Sequence, residues 1–205
     1  MKTTSKLFLA ILSVMTIFAM AFAPIQSALP ITVTGIAPVQ APLSIQAVKT
    51  ANEGSSSVAR VTVADVFDFP VVQQPSGNAG YISTRSNTLT QFGMASQYGS
   101  LGILAHNYLA GKYFGKLYSG TSITVTFSDG STKNYTVSSV LSYQALSPES
   151  AYSNFVNVND PSTTLSSTDL FMQTYGNSGA LVLQTCIAKN GNSSWGRLFI
   201  IAYAS

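Results

Sequence analysis

Three residues whose side chains can take part in covalent chemistry stand out in this 205-residue chain. Cys186 is its only cysteine, His106 is its only histidine, and Arg197 follows the cysteine by eleven residues. A thiolate is the reactive form of cysteine, and a nearby cationic His or Arg stabilises it. A His can protonate a leaving amine, and an Arg can bind a carbonyl oxygen as negative charge develops on it. The three residue types therefore fit acyl transfer through a thioester.

Each of these residues lies at the end of a predicted strand. Residues 101–105 form an apolar run that leads into His106, and residues 181–186 form a second run that ends at the cysteine. Residues 197–203 form a third, which follows the polar loop 189–194. Strand ends on a rigid scaffold are where binding and catalytic residues concentrate.

A purely structural interpretation of the same residues stays open at this point. Cys186 fits an inert buried thiol, because free cysteine packs as a small hydrophobe. His106 fits a hydrogen-bonded structural residue, and Arg197 fits a charge on an edge strand. On this interpretation the chain is a secreted β-domain that acts as a binding module.

Alternating apolar and polar residues predict a mainly β domain. The alternation covers residues 58–63 and 122–127 and resumes at 134–137 after the turn sequence Ser-Asp-Gly at 128–130. Short helices are expected in two places, through Tyr175 after the capping sequence 166–169 and near residues 112–118. At least six short strands separated by turns indicate a β-barrel or a sandwich.

The N-terminus predicts export. Two lysines precede an apolar run over residues 7–23, and small residues follow up to Ala28. This pattern is typical of a signal peptide over residues 1–28, with a retained membrane anchor through residues 7–23 as the alternative. Residues 29–56 are rich in Pro, Ala, Gln and Ser and predict a flexible linker. One folded domain is then expected over residues 57–205.

The charge and the cysteine content argue against nucleic-acid binding and against a metal site. Removing residues 1–28 takes away two lysines and no acid, which leaves eight basic and seven acidic groups. The chain has no basic cluster that would neutralise phosphates, so nucleic acid is not an expected partner. One His and one Cys without paired spacing do not make a metal site, and no cofactor is expected.

Several short motifs resemble the sortases, cysteine transpeptidases of the bacterial cell surface. Their Leu-x-Thr-Cys strand end matches residues 183–186, and an Arg opens the following strand in 195–200. Their apolar strand that ends in His-Asn matches residues 103–107. The resemblance spans about residues 80–205 and includes all three chemical residues in the same order.

This resemblance implies a single sortase-like β-barrel of about eight strands with one or two short helices. It implies that Cys186 attacks a peptide sorting motif, that Arg197 stabilises the oxyanion and that His106 protonates the leaving amine. An amine acceptor, either a cell-wall peptide or a protein lysine, would resolve the thioester, and the protein would work outside the cell or on its surface. Substrate contacts are expected in the loop at residues 147–169 and from four residues beside the catalytic set: Thr185, Asn107, Tyr108 and Trp195. For Tyr108 and Trp195, ordinary core or surface packing is the alternative.

A serine nucleophile is the remaining rival. The sequence Gly-Asn-Ser-Gly at 176–179 is similar to the nucleophile turn of chymotrypsin-like proteases, with Ser178 as the serine. The spacing of 72 positions from His106 to Ser178 leaves little room for the second barrel of that fold. An ordinary turn before a strand is the simpler interpretation.

We predict that a thiol reagent labels Cys186 readily near neutral pH in the folded protein. The enzyme hypothesis requires a reachable, reactive thiol, and the single cysteine makes the labelled mass unambiguous. Labelling that stays slow until the protein is denatured would favour the binding module instead. Labelling of Ser178 by an active-site serine reagent would contradict the assignment of Cys186 as the nucleophile.

Overall fold

The computed structural model describes residues 57–205, so the predicted leader 1–28 and linker 29–56 lie outside the described residues. The strands are β1 (Val58–Val63), β2 (Phe67–Gln73), β3 (Leu89–Phe92), β4 (Leu101–Leu104), β5 (Ser122–Phe127), β6 (Thr132–Ala145), β7 (Phe155–Asn157), β8 (Thr164–Leu165), β9 (Leu181–Lys189) and β10 (Asn192–Ala204). The helices are α1 (Gly93–Ser96), a 3-10 helix (Ala110–Lys116) and α2 (Ser167–Tyr175).

Eight of these strands close into a barrel. Their order is β10-β9-β4-β3-β2-β1-β5-β6, and β6 pairs back onto β10. The β2–β3 and β4–β9 pairs are parallel. Strand β6 is 14 residues long, so it pairs with β5 near its start and with β7 near its end. The predicted mainly β single barrel of about eight strands is confirmed, and it carries one helix more than the one or two expected.

Alternation along the strands separates two apolar cores. Leu181 and Leu183 of β9 and Ile200 of β10 are fully buried in the first core, which fills the barrel. Val182 faces the other way and joins the second core, which α2 and β7 cover on the outside of the barrel. Because successive strand residues point to opposite faces, both faces of β9 are apolar for most of its length.

The β9–β10 hairpin is tighter than the sequence suggested. The polar loop expected over residues 189–194 shrinks to Asn190 and Gly191, which have φ angles of 52° and 77°. Two consecutive left-handed residues make the turn that best matches the twist of paired strands, and Asn-Gly is its preferred sequence. The two strands therefore run three to five residues further into the hairpin than predicted, to Lys189 on one side and back to Asn192 on the other.

The longest described helix begins where the sequence predicted it. Ser166 is the N-cap of α2, its hydroxyl accepts the Asp169 N–H, and the Asp169 carboxylate accepts the Ser166 N–H. This reciprocal capping satisfies backbone donors that have no partner within the helix. The second predicted helix is the 3-10 helix Ala110–Lys116, two residues earlier than expected. Helix α1 and the strands β2, β3, β7 and β8 were not predicted.

We expect Leu183→Ala to lower the free energy of unfolding by about 2–5 kcal/mol, because it leaves a cavity inside the barrel. Met172→Ala is the matched control, since 45% of Met172 is exposed on α2 and a surface change usually costs within about 0.5 kcal/mol. Urea denaturation of the full-length protein, followed by circular dichroism, measures both. Equal effects of the two substitutions would contradict the described packing of β9.

Candidate active site

Three neighbouring strands bring Cys186, His106 and Arg197 into one row. In the antiparallel β9–β10 pair, Arg197 lies directly opposite Cys186. In the parallel β4–β9 pair, Leu104 lies opposite Gln184. Two residues further on, just past the end of β4, His106 lies at the level of Cys186 if the same register is continued. Side chains opposite each other on paired strands have Cβ atoms about 5 Å apart, so Arg197 and Cys186 are neighbours, and we infer the same for His106 by continuing the β4–β9 register.

The face on which the row lies follows from alternation along β9. Thr185 points into the barrel, where it is 5% exposed and donates a hydrogen bond to the Ala105 carbonyl at 2.8 Å. Cys186 therefore lies on the outer face, where it is half-buried and unpaired with another thiol. Arg197 lies on the same face, with its guanidinium carbon 6.0 Å from the centre of the Phe155 ring.

Backbone hydrogen bonds hold the segment that carries His106. The Ala105 N–H donates to the Gln184 carbonyl at 3.2 Å, which extends the β4–β9 pairing past the end of β4. The N–H groups of Leu109 and Gly111 both donate to the His106 carbonyl at 3.0 Å. The imidazole ring stacks on Tyr108 with ring centroids 5.1 Å apart and an interplanar angle of 23°. The histidine is thus anchored on its backbone and on one ring face.

Arg197 is held by carbonyl oxygens. Its Nη1 donates to the Ser194 carbonyl at 2.9 Å and to the Gly196 carbonyl at 3.0 Å, and its Nη2 reaches the Pro148 carbonyl at 3.4 Å. Within residues 57–205, no carboxylate lies at ion-pair distance from this guanidinium. The positive charge is therefore available to a developing anion beside Cys186.

The four residues expected to contact substrate occupy different surroundings. Tyr108 is 64% exposed beside His106, and the Asn107 side chain donates to the Ser193 carbonyl at 2.9 Å. Trp195 lies under the Lys189 ammonium, which is 4.5 Å from the ring centre. Thr185 faces the barrel interior and joins β9 to the His106 segment, so the geometry favours a positioning role for it over direct substrate contact.

A cavity that the sequence did not reveal adjoins Arg197. It has a volume of about 230 Å³, and Gln184, Tyr175, Phe199 and Ser150 are among its lining residues. The Tyr175 hydroxyl donates to Gln184 Oε1 at 2.7 Å. Burial raises the pKa of Tyr175 far above its ordinary value, so the phenol stays protonated and remains a donor. The only sequence signal for this pair was the polar Gln184 directly after the apolar residues 181–183 of β9.

Ser178 lies at the other end of the barrel. It precedes β9, where the next residue, Gly179, donates its N–H to the Gly99 carbonyl at 2.7 Å. His106 follows the far end of the parallel strand β4. The side chains of Ser178 and His106 are therefore separated by about six strand residues, which is roughly 20 Å. This separation excludes Ser178 and His106 as a nucleophile and base pair. The open cleft of about 860 Å³ beside Gly179 also lies at that end.

Neither a metal-binding cluster nor a membrane-spanning helix occurs within the described residues. Residues 57–205 contain no group of three or more His, Cys, Asp or Glu side chains placed to hold a metal ion. Within the same range, no helix has the length and apolar character needed to cross a membrane. The row of Cys186, His106 and Arg197 combines a thiol, an imidazole and a guanidinium, which are groups that can act in acyl transfer as nucleophile, proton carrier and anion-binding cation.

Comparison with known proteins finds similar structures but no similar sequence family. No family model and no curated protein matches the chain. Sortase A from Corynebacterium diphtheriae aligns with a TM-score of 0.47 and 14% identity over 73% of this chain and 60% of that one. Sortase C-1 from Actinomyces oris aligns with a TM-score of 0.48 and 14% identity over 72% of this chain and 71% of that one. Sortase C1 from Streptococcus agalactiae aligns with a TM-score of 0.44 and 14% identity over 76% of this chain and 70% of that one.

This chain thus spans less than two thirds of the length of the Corynebacterium diphtheriae structure. With TM-scores under 0.5, the similarities say nothing about residues or chemistry.

We expect Gly111→Ala to disturb the His106 segment and Gly115→Ala to leave it unchanged, although both glycines lie in the same 3-10 helix. A Cβ at Gly111 would overlap Thr185 Oγ1 and lie 2.8 Å from the His106 carbonyl, whereas a Cβ at Gly115 meets nothing within 4 Å. We predict a loss of about 1–3 kcal/mol for Gly111→Ala and a shift of the imidazole NMR signals, which the single histidine makes easy to assign. Unchanged imidazole signals in a folded Gly111→Ala protein would contradict the described contact.

Proposed function

We propose that the protein is an exported cysteine transpeptidase of the sortase type. The observation that carries this proposal is the register of three strands, which puts Cys186 between His106 and Arg197 on one face. A nucleophilic thiol needs a proton carrier and a cationic group within reach, and this row supplies one on each side.

Acylation begins when the Cys186 thiol gives its proton to His106 and the thiolate attacks the carbonyl carbon of a peptide bond in a sorting motif. Negative charge moves to the carbonyl oxygen, where the Arg197 guanidinium stabilises it. The hydrogen bond from Arg197 to the Pro148 carbonyl is the longest of its three, at 3.4 Å, so its Nη2 is the donor most easily redirected to that oxygen. The carbon–nitrogen bond then breaks, His106 donates its proton to the leaving amine, and a thioester remains.

The second half-reaction transfers the acyl group to an amine. His106 removes a proton from the incoming amine, which attacks the thioester carbon and releases the Cys186 sulfur. A cell-wall peptide or a protein lysine is the acceptor in this proposal, and water gives hydrolysis as a side reaction. The exposed Tyr108 beside His106 borders the side from which the acceptor enters.

The proposed place of action is the outside of the cell or its surface. This part of the proposal rests on the leader pattern in residues 1–28, which either is removed or stays as an anchor through residues 7–23. In the anchored form, residues 29–56 would connect this anchor to the domain 57–205.

We predict that the full-length protein, incubated with a library of random peptides, gains the mass of an acyl group on Cys186. Cys186→Ala should abolish the adduct, because no other thiol exists in the chain. Arg197→Lys should lower the rate of adduct formation by about 100-fold or more, since a lysine lacks the forked donors. Intact-protein mass spectrometry followed by peptide mapping measures both effects.

Two results would contradict the proposal. One is full peptide turnover by Cys186→Ala, which would place the nucleophile elsewhere. The other is peptide binding without any adduct or cleavage by the wild-type protein, which would identify the chain as a binding module. Alkylation of Cys186 by iodoacetamide serves as the control that the thiol is intact in each sample.

A further inference from the structure

Gln184 shares the outer face of β9 with Cys186 but plays no part in the chemistry described above. It lies two residues before the cysteine, so the two side chains are about 7 Å apart along the strand. Gln184 is half-buried and lines the 230 Å³ cavity together with Arg197. Thr185 faces the barrel interior, so Gln184 is the nearest polar side chain of β9 on the same face as Cys186.

The contact with Tyr175 fixes which end of the Gln184 amide is free. The Tyr175 hydroxyl, on a ring that is 2% exposed, donates to Oε1 at 2.7 Å. Since the phenol stays protonated, the amide oxygen is kept facing this donor. Within residues 57–205, no hydrogen bond from Gln184 Nε2 is present, and this nitrogen is not among the buried polar atoms without a partner. Both of its N–H donors are therefore left for a group that enters the cavity.

The distance between Gln184 and Cys186 matches the repeat of an extended peptide. Carbonyl groups on one side of an extended chain recur every two residues, which is also about 7 Å. When one carbonyl of a bound peptide lies at the Cys186 sulfur, a second carbonyl lies over Gln184. Amide nitrogens are donors and carbonyl oxygens are acceptors, so the two groups are complementary.

We propose, on the basis of the proposed transpeptidase function, that Gln184 Nε2 binds the substrate carbonyl two residues before the scissile one, and that Tyr175 is the positioning residue for this amide. Two carbonyl contacts two residues apart fix the register of the substrate, and thereby select which peptide bond meets the sulfur. The site then selects in part for peptides that bind in an extended conformation.

The acyl half of the substrate is the part that Gln184 holds. The leaving amine must lie against His106, at the end of the row where Tyr108 is exposed. The cavity lies on the Gln184 side of Cys186 along β9, beneath α2 and beside Phe199, which pairs with Gln184. A contact there persists in the thioester, so it keeps the acyl chain in place while one amine leaves and the next one enters.

The test uses the library peptide that acylates the wild-type protein most rapidly, and compares Gln184→Met with Tyr175→Phe. Methionine has a similar length and volume without hydrogen-bonding groups, and phenylalanine removes only the hydroxyl. We expect Gln184→Met to lower kcat/KM about tenfold, mainly through KM, because the contact is present in both ground and transition states. Tyr175→Phe should lower it about threefold, and the double variant should be no worse than Gln184→Met alone.

A change in the substrate separates recognition from a structural effect. Replacing the oxygen of the carbonyl two residues before the scissile one by sulfur should lower kcat/KM for the wild-type protein. The same thioamide should have no further effect on Gln184→Met, because the donor is already absent. The rate of Cys186 alkylation by iodoacetamide should be equal in all variants, since this reagent is too small to reach the cavity donor.

The possible outcomes distinguish this inference from the proposed function. The role of Gln184 is overturned if Gln184→Met has the same kcat/KM as the wild-type protein. It is also overturned if the thioamide lowers kcat/KM equally in the wild-type protein and in Gln184→Met. In both cases the proposed peptide turnover by the thiol still stands. Additive losses in the double variant, with a slower alkylation rate, overturn it in favour of a structural role. A wild-type protein that is alkylated at Cys186 but acylated by no library peptide overturns the proposed function, and this inference with it.

Discussion

Strand β9 is paired on both sides, to β4 in parallel and to β10 in antiparallel register, and the site depends on this double pairing. A slip of one residue in β9 would turn Cys186 into the barrel and move Leu183 to the outer face. Burial of Leu181 and Leu183 resists such a slip, because each buried leucine contributes roughly 1.5–3 kcal/mol relative to an exposed one. The hydrophobic core of the barrel thereby sets the face on which the thiol lies.

The second core makes the two sides of the row unequal. On one side of Cys186, helix α2 packs Tyr175 against Phe199 and Phe92, and a small cavity remains between these rings and Arg197. At the level of Cys186 itself, His106 stacks on Tyr108, which is exposed to solvent. A walled side suits the part of a substrate that must be retained, and an open side suits groups that leave and enter.

Much of the fold could be predicted from the sequence because its signals are local. The Ser-Asp-Gly turn at 128–130, the reciprocal capping of α2 by Ser166 and Asp169, and the alternation in β5 each involve residues a few positions apart. Helix α1 and the strands β3, β7 and β8 escaped prediction because they have two to four residues, too few for a periodic pattern to appear. Strand β2 escaped it because Pro70 lies inside it, and a proline argues against a strand. The lengths of β9 and β10 were underestimated, because the polar residues at their ends are held by pairing with each other and not by burial.

The sequence alone determined the chemistry of Cys186, His106 and Arg197 and their position near the ends of strands. Side-chain chemistry and local strand patterns do not depend on distant contacts. Their common row, the inward position of Thr185 and the hydrogen bond between Tyr175 and Gln184 were decided only by the tertiary structure. Each of these depends on which strands become neighbours and on how α2 packs over them. Those choices follow from burying both faces of β9 at once, a condition that involves residues far apart in the chain.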